Sequence, residues 1–217
     1  MNDTAAIPVL DIVSDVVCPW CYVGKRRLER ALATLEDFPI TVRWRPYELN
    51  PTLPRAGMDR REYCERKFGS LDQARRLYAR VEAAAAEDDL PMHVERIART
   101  PNTRSAHRLV ELAGEHGCQD AVVDALFAAY FVEGRDVGDH ATLRDIGVAA
   151  GLAGEAIDTM LSDAAGDVLI EATERAAREA GVDGVPAFLY NGRLLFSGAQ
   201  SPETIALALK RARARGL

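Results

Sequence analysis

The stretch that decides the fold is SDVVCPWCYVGK, residues 14–25, in which Cys18 and Cys21 stand three positions apart. An alternating apolar run, residues 7–13, precedes it and is typical of a buried β-strand. After it come apolar residues spaced as on one face of an amphipathic helix, namely Leu28, Ala31, Leu32 and Leu35. A cysteine pair at such a junction can bind a metal, form a structural disulfide or carry out redox chemistry, and the rest of the chain has to distinguish these uses.

A second strand is predicted over residues 40–45, ITVRWR, because β-branched residues alternate there with polar ones. The order strand, helix, strand indicates a parallel pair joined by a right-handed crossover. Near the C-terminus a helix is predicted from about Asp167, followed by two short strands joined at Asn191-Gly192, a strong hairpin signal. Ser201 is then placed to cap a last helix whose first residue is proline.

The middle of the chain carries helical patterns only, and we predict no strand within it. Residues that favour the N-terminal cap position stand where these helices are expected to start: Asp72, Asn102, and Asp139 or its neighbour His140. Glycines stand where helices are expected to end: Gly117 and Gly151.

These elements predict the α/β class, with a small sheet flanked by helices and an all-helical insertion. We assign residues 1–58 and 166–217 to the sheet domain and residues 59–165 to the insertion.

The composition of the 217 residues, 48% apolar and 28% charged, is that of a globular protein able to bury its own core. A net charge of -6 argues against a general nucleic-acid binder. No apolar run reaches the roughly 20 residues that cross a bilayer. Residues 1–15 lack the basic start, apolar centre and cleavage site of a signal peptide. We therefore expect a cytoplasmic protein with no nucleic-acid or membrane partner, in a compartment that keeps thiols reduced.

A metal site at the cysteine pair would need two further ligands. The chain has no second Cys-x-x-Cys, and its histidines include no close pair beside a cysteine, so we predict no metal ion. A permanent disulfide between Cys18 and Cys21 is disfavoured in a reducing compartment. The other two cysteines, Cys64 and Cys118, are expected to be buried or half-buried in helices. Redox chemistry is favoured, because a Cys-x-x-Cys in a βαβ unit has that context.

The two cysteines are expected to have different roles. Pro19 suits the first position of a helix, which puts Cys18 at the helix N-terminus, where unpaired N–H groups and the macrodipole favour a thiolate. Cys21, one turn further on, should be more buried and better placed to resolve a mixed disulfide. Pro186 precedes a short strand; a cis Val185–Pro186 bond would leave the backbone groups of Val185 free to pair with a peptide beside Cys18. Propensity alone favours a trans proline that starts an edge strand.

Four segments together resemble the DsbA family of thioredoxin-fold oxidoreductases, and most of all its cytosolic FrnE-like branch: SDVVCPWCYVGK, WRPYELNP (44–51), NTRSAHRL (102–109) and GVPAFLYNGRLLFSGAQ (184–200). The resemblance covers nearly the whole chain. It implies a thioredoxin fold interrupted by a helical domain, with Cys18 as nucleophile, Cys21 as resolving thiol and Pro186 in the cis form. The chain departs from the periplasmic members at Trp20, where they have histidine, and this implies a less oxidising couple suited to reductase or isomerase work.

The leading hypothesis is a thiol–disulfide oxidoreductase or isomerase that binds no cofactor and acts on a disulfide-containing protein or a small thiol. The alternative is a glutathione-dependent isomerase or transferase, since 2-hydroxychromene-2-carboxylate isomerases and kappa-class glutathione transferases carry similar inner motifs. Glutathione would then be the co-substrate, with Asn102, Arg104 and His107 facing a crevice. These three residues are equally compatible with a helix cap and a solvated helix face.

A third hypothesis is a binding protein whose apolar crevice works without chemistry. Five aromatic residues would line it, although aromatic residues near strands more often belong to a core: Trp20, Tyr22, Trp44, Tyr47 and Phe188. A homodimer is compatible with the helical insertion. Asp15 precedes the cysteines, and we leave it out of the catalytic set because an acid before a helix is common for electrostatic reasons alone.

Overall fold

The structure, a computed structural model, describes residues 7–217. Residues 1–6, which contributed to the signal-peptide prediction and to the predicted sheet domain, lie outside this range. Six strands are present in the described part: β1 (Val9–Ser14), β2 (Thr41–Pro46), β3 (Met58–Asp59), β4 (Arg99–Thr100), β5 (Ala187–Tyr190) and β6 (Arg193–Ser197).

The described helices begin with α1 at the cysteine pair and end with α9 at the C-terminus. Their bounds are α1 (Pro19–Ala33), α2 (Arg60–Phe68), α3 (Leu71–Glu87), α4 (Arg104–Glu115), α5 (Gln119–Ala128), α6 (His140–Ala149), α7 (Gly154–Ser162), α8 (Asp167–Glu179) and α9 (Pro202–Ala214). One π-helical turn, Ala129–Glu133, continues α5. The predicted α/β class is confirmed.

The main sheet has the strand order β2-β1-β5-β6. β1 and β2 are parallel and connected through α1, as predicted, whereas β5 is antiparallel to both β1 and β6. The β5–β6 hairpin turns at Asn191 and Gly192, whose φ angles of 48° and 79° are the left-handed values that a two-residue turn of this twist requires. β1 is thus a central strand, and the cysteine pair follows directly after it.

The helical part contains a strand that the sequence did not predict. β4 pairs with β3 in a two-stranded antiparallel sheet, so the prediction that residues 59–165 contain no strand is wrong. Each strand is two residues long, which is too short for alternation to show in the sequence.

Two of the predicted helix caps are also corrected. Ser70, not Asp72, caps α3 by accepting the N–H of Gln73, and Asp72 lies in the first turn. Thr103 holds the cap position of α4, while the Asn102 Oδ1 atom accepts the N–H of Arg104. An acid in the first turn interacts favourably with the helix dipole just as a cap does, which makes the two hard to tell apart in a sequence. The Asp139 cap of α6 is confirmed.

The division into a sheet domain and a helical insertion stays a prediction, but the core shows how the two parts interact. One hydrophobic cluster contains Leu10 and Ile12 of β1 together with Leu109 of α4 and Phe127 of α5, all of them fully buried. The inserted helices therefore pack directly on the sheet, and the cysteine pair at the end of β1 lies near the boundary between the two parts.

Candidate active site

Cys18 is the residue immediately before α1. Its backbone is extended (φ -86°, ψ 112°), Pro19 is the first helical residue, and the thiol makes no capping hydrogen bond. The first turn of α1 contains no acidic residue. The backbone carbonyl of Cys18 accepts the N–H of Cys21 at 3.0 Å, which fixes the pair within one tight turn.

The second cysteine is the more buried of the two, as predicted. Cys21 is 0% exposed and Cys18 is 5% exposed, and both are free thiols. Burial raises the pKa of Cys21 well above its usual value, and the neighbouring Cys18 raises it further. The Cys21 thiol is therefore held protonated at neutral pH, whereas Cys18 opens onto a cavity.

The loop before β5 approaches the cysteine pair from the other side. The Val185–Pro186 bond is cis, and the carbonyl oxygen of Val185 lies 3.7 Å from the Cys18 Sγ atom. The ring of Pro186 packs on Gly24 of α1, where an added Cβ would lie 2.9 Å from the proline Cγ atom. Three predicted site residues, Cys18, Val185 and Pro186, are thus brought together, and the close approach explains why α1 carries glycine at that position.

A cavity of about 390 Å³ lies in front of Cys18. One wall comes from the cysteine segment, residues 17–20, and from Leu49 and Asn50 after β2. The opposite wall comes from α2 and α3, with Thr100 and Tyr130 behind them. Trp20 lines this cavity and is 38% exposed. The reactive segment therefore faces a partly enclosed space between the sheet and the inserted helices.

The other predicted binding residues, Asn102 and His107, are not among the residues that line this cavity. The Asn102 Nδ2 atom donates to the carbonyl oxygen of Leu53 at 2.9 Å, and both Asn102 and His107 are buried. The Arg104 guanidinium forms an ion pair with the buried Glu48 at 2.7 Å. The solvated helix face considered for these residues is thus wrong, since all three side chains turn inward.

His107 meets an acid that the sequence analysis had set aside. Its Nε2 atom lies 3.3 Å from the Oδ1 atom of Asp15, and the Asp15 side chain is fully buried. Burial lowers the pKa of His107, but the carboxylates of Asp15, Glu48 and Glu174 together raise it more, and the pKa ends above its ordinary value. The available signal was an acid in an otherwise apolar segment three residues before Cys18, since such an acid is rarely buried without a partner.

Four of the five aromatic residues proposed for a binding crevice belong elsewhere. Tyr22, Trp44 and Phe188 are buried in the core, and Tyr47 is half-buried beside a smaller cluster. Trp20 alone among the five lines the cavity at Cys18. The apolar lining of the cavity at Cys18 therefore comes mainly from other side chains.

One group of acids in the described residues has the spacing of metal ligands: Glu29, Asp120 and Asp124. All three are exposed, and the ammonium group of Lys25 lies among them at 2.5, 3.1 and 2.8 Å respectively. The lysine charge offsets part of the negative charge of these three acids, and the cluster forms an ionic contact between α1 and α5. In residues 7–217 no helix has both the length and the apolar character needed to cross a membrane.

Comparison with known proteins agrees with this architecture. Residues 9–210 match the family model of the DSBA-like thioredoxin domain. A probable DsbA oxidoreductase from Streptomyces coelicolor is 34% identical, with a TM-score of 0.86 over 95% of this chain and 90% of that one. The predicted thioredoxin-like fold with a helical insertion is confirmed.

Two more distant structures share the fold. A 2-hydroxychromene-2-carboxylate isomerase is 17% identical, with a TM-score of 0.71 over 96% of this chain and 97% of that one. The cytosolic disulfide reductase DsbM from Pseudomonas aeruginosa, solved with GSH, is 20% identical, with a TM-score of 0.64 over 95% of this chain and 99% of that one. At these identities the likeness concerns the fold alone.

Proposed function

The chain belongs to the family of DSBA-like thioredoxin domains, and we propose that it catalyses thiol–disulfide exchange with Cys18 as the attacking sulfur and Cys21 as the resolving one. One observation carries this proposal. Cys18 precedes α1 with a free thiol that lines a cavity and contacts the Val185 carbonyl, while Cys21 lies one turn further on and is completely buried. A helix N-terminus favours the thiolate form of the cysteine at its start, and the thiolate is the nucleophile.

The exchange takes place in two steps. The Cys18 thiolate attacks one sulfur of the substrate disulfide, forming a mixed disulfide and releasing the first substrate thiolate. Cys21 then gives up its proton and attacks the Cys18 sulfur, which releases the second substrate thiolate and leaves a Cys18–Cys21 disulfide. Two electrons pass from the protein to the substrate, and an external thiol must reduce the pair again.

The position of Val185 suggests how an extended substrate is held. Its carbonyl oxygen lies 3.7 Å from the Cys18 sulfur, in the loop that leads into the inner strand β5. A substrate strand placed along this loop would pair with the backbone of Val185 while its sulfur stays beside Cys18. We propose that Pro186 serves to hold this loop against α1.

The direction of the reaction is inferred from Trp20. An indole at this position carries no positive charge, so the thiolate receives no cationic support from within the Cys-x-x-Cys segment. A less stabilised thiolate corresponds to a more reducing couple. We propose that the protein acts as a reductase or isomerase in a reducing compartment such as the cytoplasm.

Reduction of insulin disulfides by dithiothreitol tests the proposal. We expect Cys18→Ser to reduce the catalysed rate to background, and Cys21→Ser to accumulate a mixed disulfide that mass spectrometry detects on Cys18. Cys118→Ser is the matched control, since this half-buried thiol is outside the cavity, and it should keep full activity. Full activity in Cys18→Ser would contradict the proposal.

Glutathione as co-substrate is a second proposal, favoured by the cavity beside Cys18 and by the GSH in the DsbM structure. In this use glutathione would reduce the Cys18–Cys21 disulfide and would not replace the protein's own nucleophile. Calorimetry with reduced glutathione on the Cys21→Ser variant measures binding without turnover of the pair. Heat of binding that vanishes when Trp20 is replaced by Ala would locate glutathione in the cavity, and no heat at all would exclude this co-substrate.

A further inference from the structure

We propose that the cavity at Cys18 selects low-molecular-weight disulfides that carry carboxylate groups. Its lining includes three cations that form no ion pair with an acid of residues 7–217: Arg60, Lys67 and Arg80. This proposal rests on the proposed function, since it names the substrate class of the same site. The lining of the cavity supports this proposal, because no aspartate or glutamate of the described residues belongs to it.

Arg60 is the innermost of these cations. Its guanidinium lies 5.5 Å from the ring centre of Tyr63 and 4.7 Å from that of Tyr78, and its Nη1 atom donates to the Thr100 hydroxyl at 3.1 Å. Within residues 7–217 no carboxylate oxygen lies within 4.0 Å of it. Aromatic rings and one neutral hydroxyl hold the guanidinium in place, and none of its five N–H groups has a charged acceptor within residues 7–217.

Other partly buried cations of this chain do have acidic partners. Lys25 contacts three carboxylates, Arg27 pairs with Asp88 at 2.6 Å, and Arg104 pairs with Glu48 at 2.7 Å. Acids are not scarce, because the chain has 33 acidic residues against 27 basic ones. Removing a charge from water is costly unless a counter-charge is present, so the half-buried Arg60, which has no acidic partner in residues 7–217, indicates a site for an anion. Lys67 and Arg80 are exposed and add positive charge to the same cavity.

Lys67 and Arg80 extend the positive region towards the opening. The Lys67 ammonium donates to the Asn50 Oδ1 atom at 2.8 Å and lies 5.5 Å from the Tyr63 ring centre. Burial lowers the pKa of Lys67, although Asp15 and Cys18 act in the opposite direction. An anionic group bound beside it would offset that cost of desolvation.

The size of the cavity suits a small molecule. A volume of about 390 Å³ is at the lower end of the range for small-molecule sites and is enclosed by α2 and α3 on the side facing Cys18. A short disulfide with a carboxylate a few bonds from sulfur places its sulfur at Cys18 and its charge near Arg60 or Lys67. The reaction is that of the proposed function: the reduced Cys18–Cys21 pair and R–S–S–R give the oxidised pair and two R–SH.

The test compares three disulfides that differ in charge, each mixed with protein reduced beforehand. They are 3,3′-dithiodipropionate, a dianion; bis(2-hydroxyethyl) disulfide, which is neutral; and cystamine, a dication. Acid quenching, alkylation and mass spectrometry follow the oxidation of Cys18 and Cys21. For each disulfide, the rate constant with the protein is divided by the rate constant with free cysteine. We expect this ratio to be highest for the dianion, lower for the neutral compound and lowest for the dication.

Substitution locates the effect. Lys67→Met and Arg80→Met, both at exposed positions, should each lower the dianion rate by about tenfold and leave the neutral rate within about twofold. Arg76→Met, an exposed arginine of α3 outside the cavity, removes the same charge and should change neither rate. Arg60→Met should have the largest effect, and circular dichroism checks that it is folded.

The outcomes separate the two proposals. The net charge of -6 by itself repels a dianion, so the overall charge of the protein does not explain a preference for the dianion. If Lys67→Met and Arg80→Met abolish that preference, the result supports selection of carboxylate-bearing disulfides by the cavity. Equal normalised rates for all three compounds would overturn the selection while leaving thiol–disulfide exchange intact. If none of the three oxidises the pair faster than it oxidises free cysteine, the proposed function itself fails.

Discussion

The Nε2 atom of His107 lies 3.3 Å from the Oδ1 atom of Asp15, and the two side chains are 2% and 0% exposed. The pair joins α4 of the inserted helices to the segment before the cysteines. Asp15 also accepts the N–H of Leu49 through its carboxylate at 2.8 Å and the N–H of Cys18 through its backbone oxygen at 3.0 Å. One buried acid thus holds the start of α1, the loop after β2 and α4 in a fixed arrangement.

This pair predicts a pH dependence of stability. The pKa of His107 in the folded protein is above its ordinary value of 6.5, so the folded state holds the proton more tightly than the unfolded chain. The stabilisation is fully present below the unfolded-state pKa and is lost as the pH rises through the folded-state pKa. In that window the free energy of unfolding should decrease, with a slope of up to about 1.4 kcal/mol per pH unit for one proton.

Urea unfolding at a series of pH values measures this slope. His107→Gln keeps a polar side chain beside Asp15 but cannot titrate, so it should flatten the decrease. His140→Gln is the control, because His140 is exposed, and it should keep the wild-type slope. The interpretation is wrong if the two variants have the same pH profile.

The site shows which features the sequence could predict and which it could not. The roles proposed for Cys18 and Cys21 rest on three-residue spacing and a proline, which are local features. The cis form of Pro186 came from a family resemblance, since propensity alone favoured trans. The contact between Asp15 and His107 depends on how α4 packs against β2 and the loop that follows it, and no local pattern encodes that packing.

The cations of the cavity illustrate the same limit. Arg60 and Lys67 belong to α2 and Arg80 to α3, and in the sequence they are ordinary members of charged helices. Their proposed role depends on the tertiary arrangement, which places them in the lining of the cavity at Cys18, where no acid of residues 7–217 takes part. A charge pattern in a sequence shows which residues are charged, but not which of them lack a partner.

The difference in burial between the cysteines predicts the order in which they react. Cys21 is fully buried, and burial raises its pKa, whereas Cys18 borders the cavity. Brief treatment of the reduced protein with iodoacetamide at neutral pH should therefore label Cys18 at least about tenfold faster than Cys21. Peptide mapping by mass spectrometry measures both. Faster labelling of Cys21 would reverse the two roles.

The ionic contact at Lys25 predicts a loss of stability. The lysine side chain is 2% exposed and its three acidic partners are 42–63% exposed, so solvent weakens the repulsion that remains when the lysine is removed. Lys25→Met should lower the free energy of unfolding by about 1–2 kcal/mol, measured with urea. Lys210→Met, the same change at an exposed position of α9, should alter it by less than about 0.5 kcal/mol. A Lys25→Met protein as stable as wild type would mean that burying the lysine costs as much as its ion pairs contribute.

Gly24 provides the last prediction, because it controls the position of Pro186. Alanine is the better helix former by about 1 kcal/mol, but a Cβ atom at this position would lie 2.9 Å from the Pro186 Cγ atom. Since both residues are packed in the interior, the methyl group has to displace the proline loop and with it the Val185 carbonyl beside Cys18. We expect Gly24→Ala to raise the KM for insulin about tenfold while iodoacetamide still labels Cys18 at the wild-type rate.

A double-mutant cycle with Pro186→Ala separates this route from general destabilisation. The smaller side chain gives the Gly24→Ala methyl group room, so Gly24→Ala should have little further effect on KM once Pro186 has been replaced. If instead the effects of the two substitutions are additive, Gly24 does not act through Pro186. In that case the glycine is needed only for the fit of α1 against its other neighbour at this point, the Ala199 side chain.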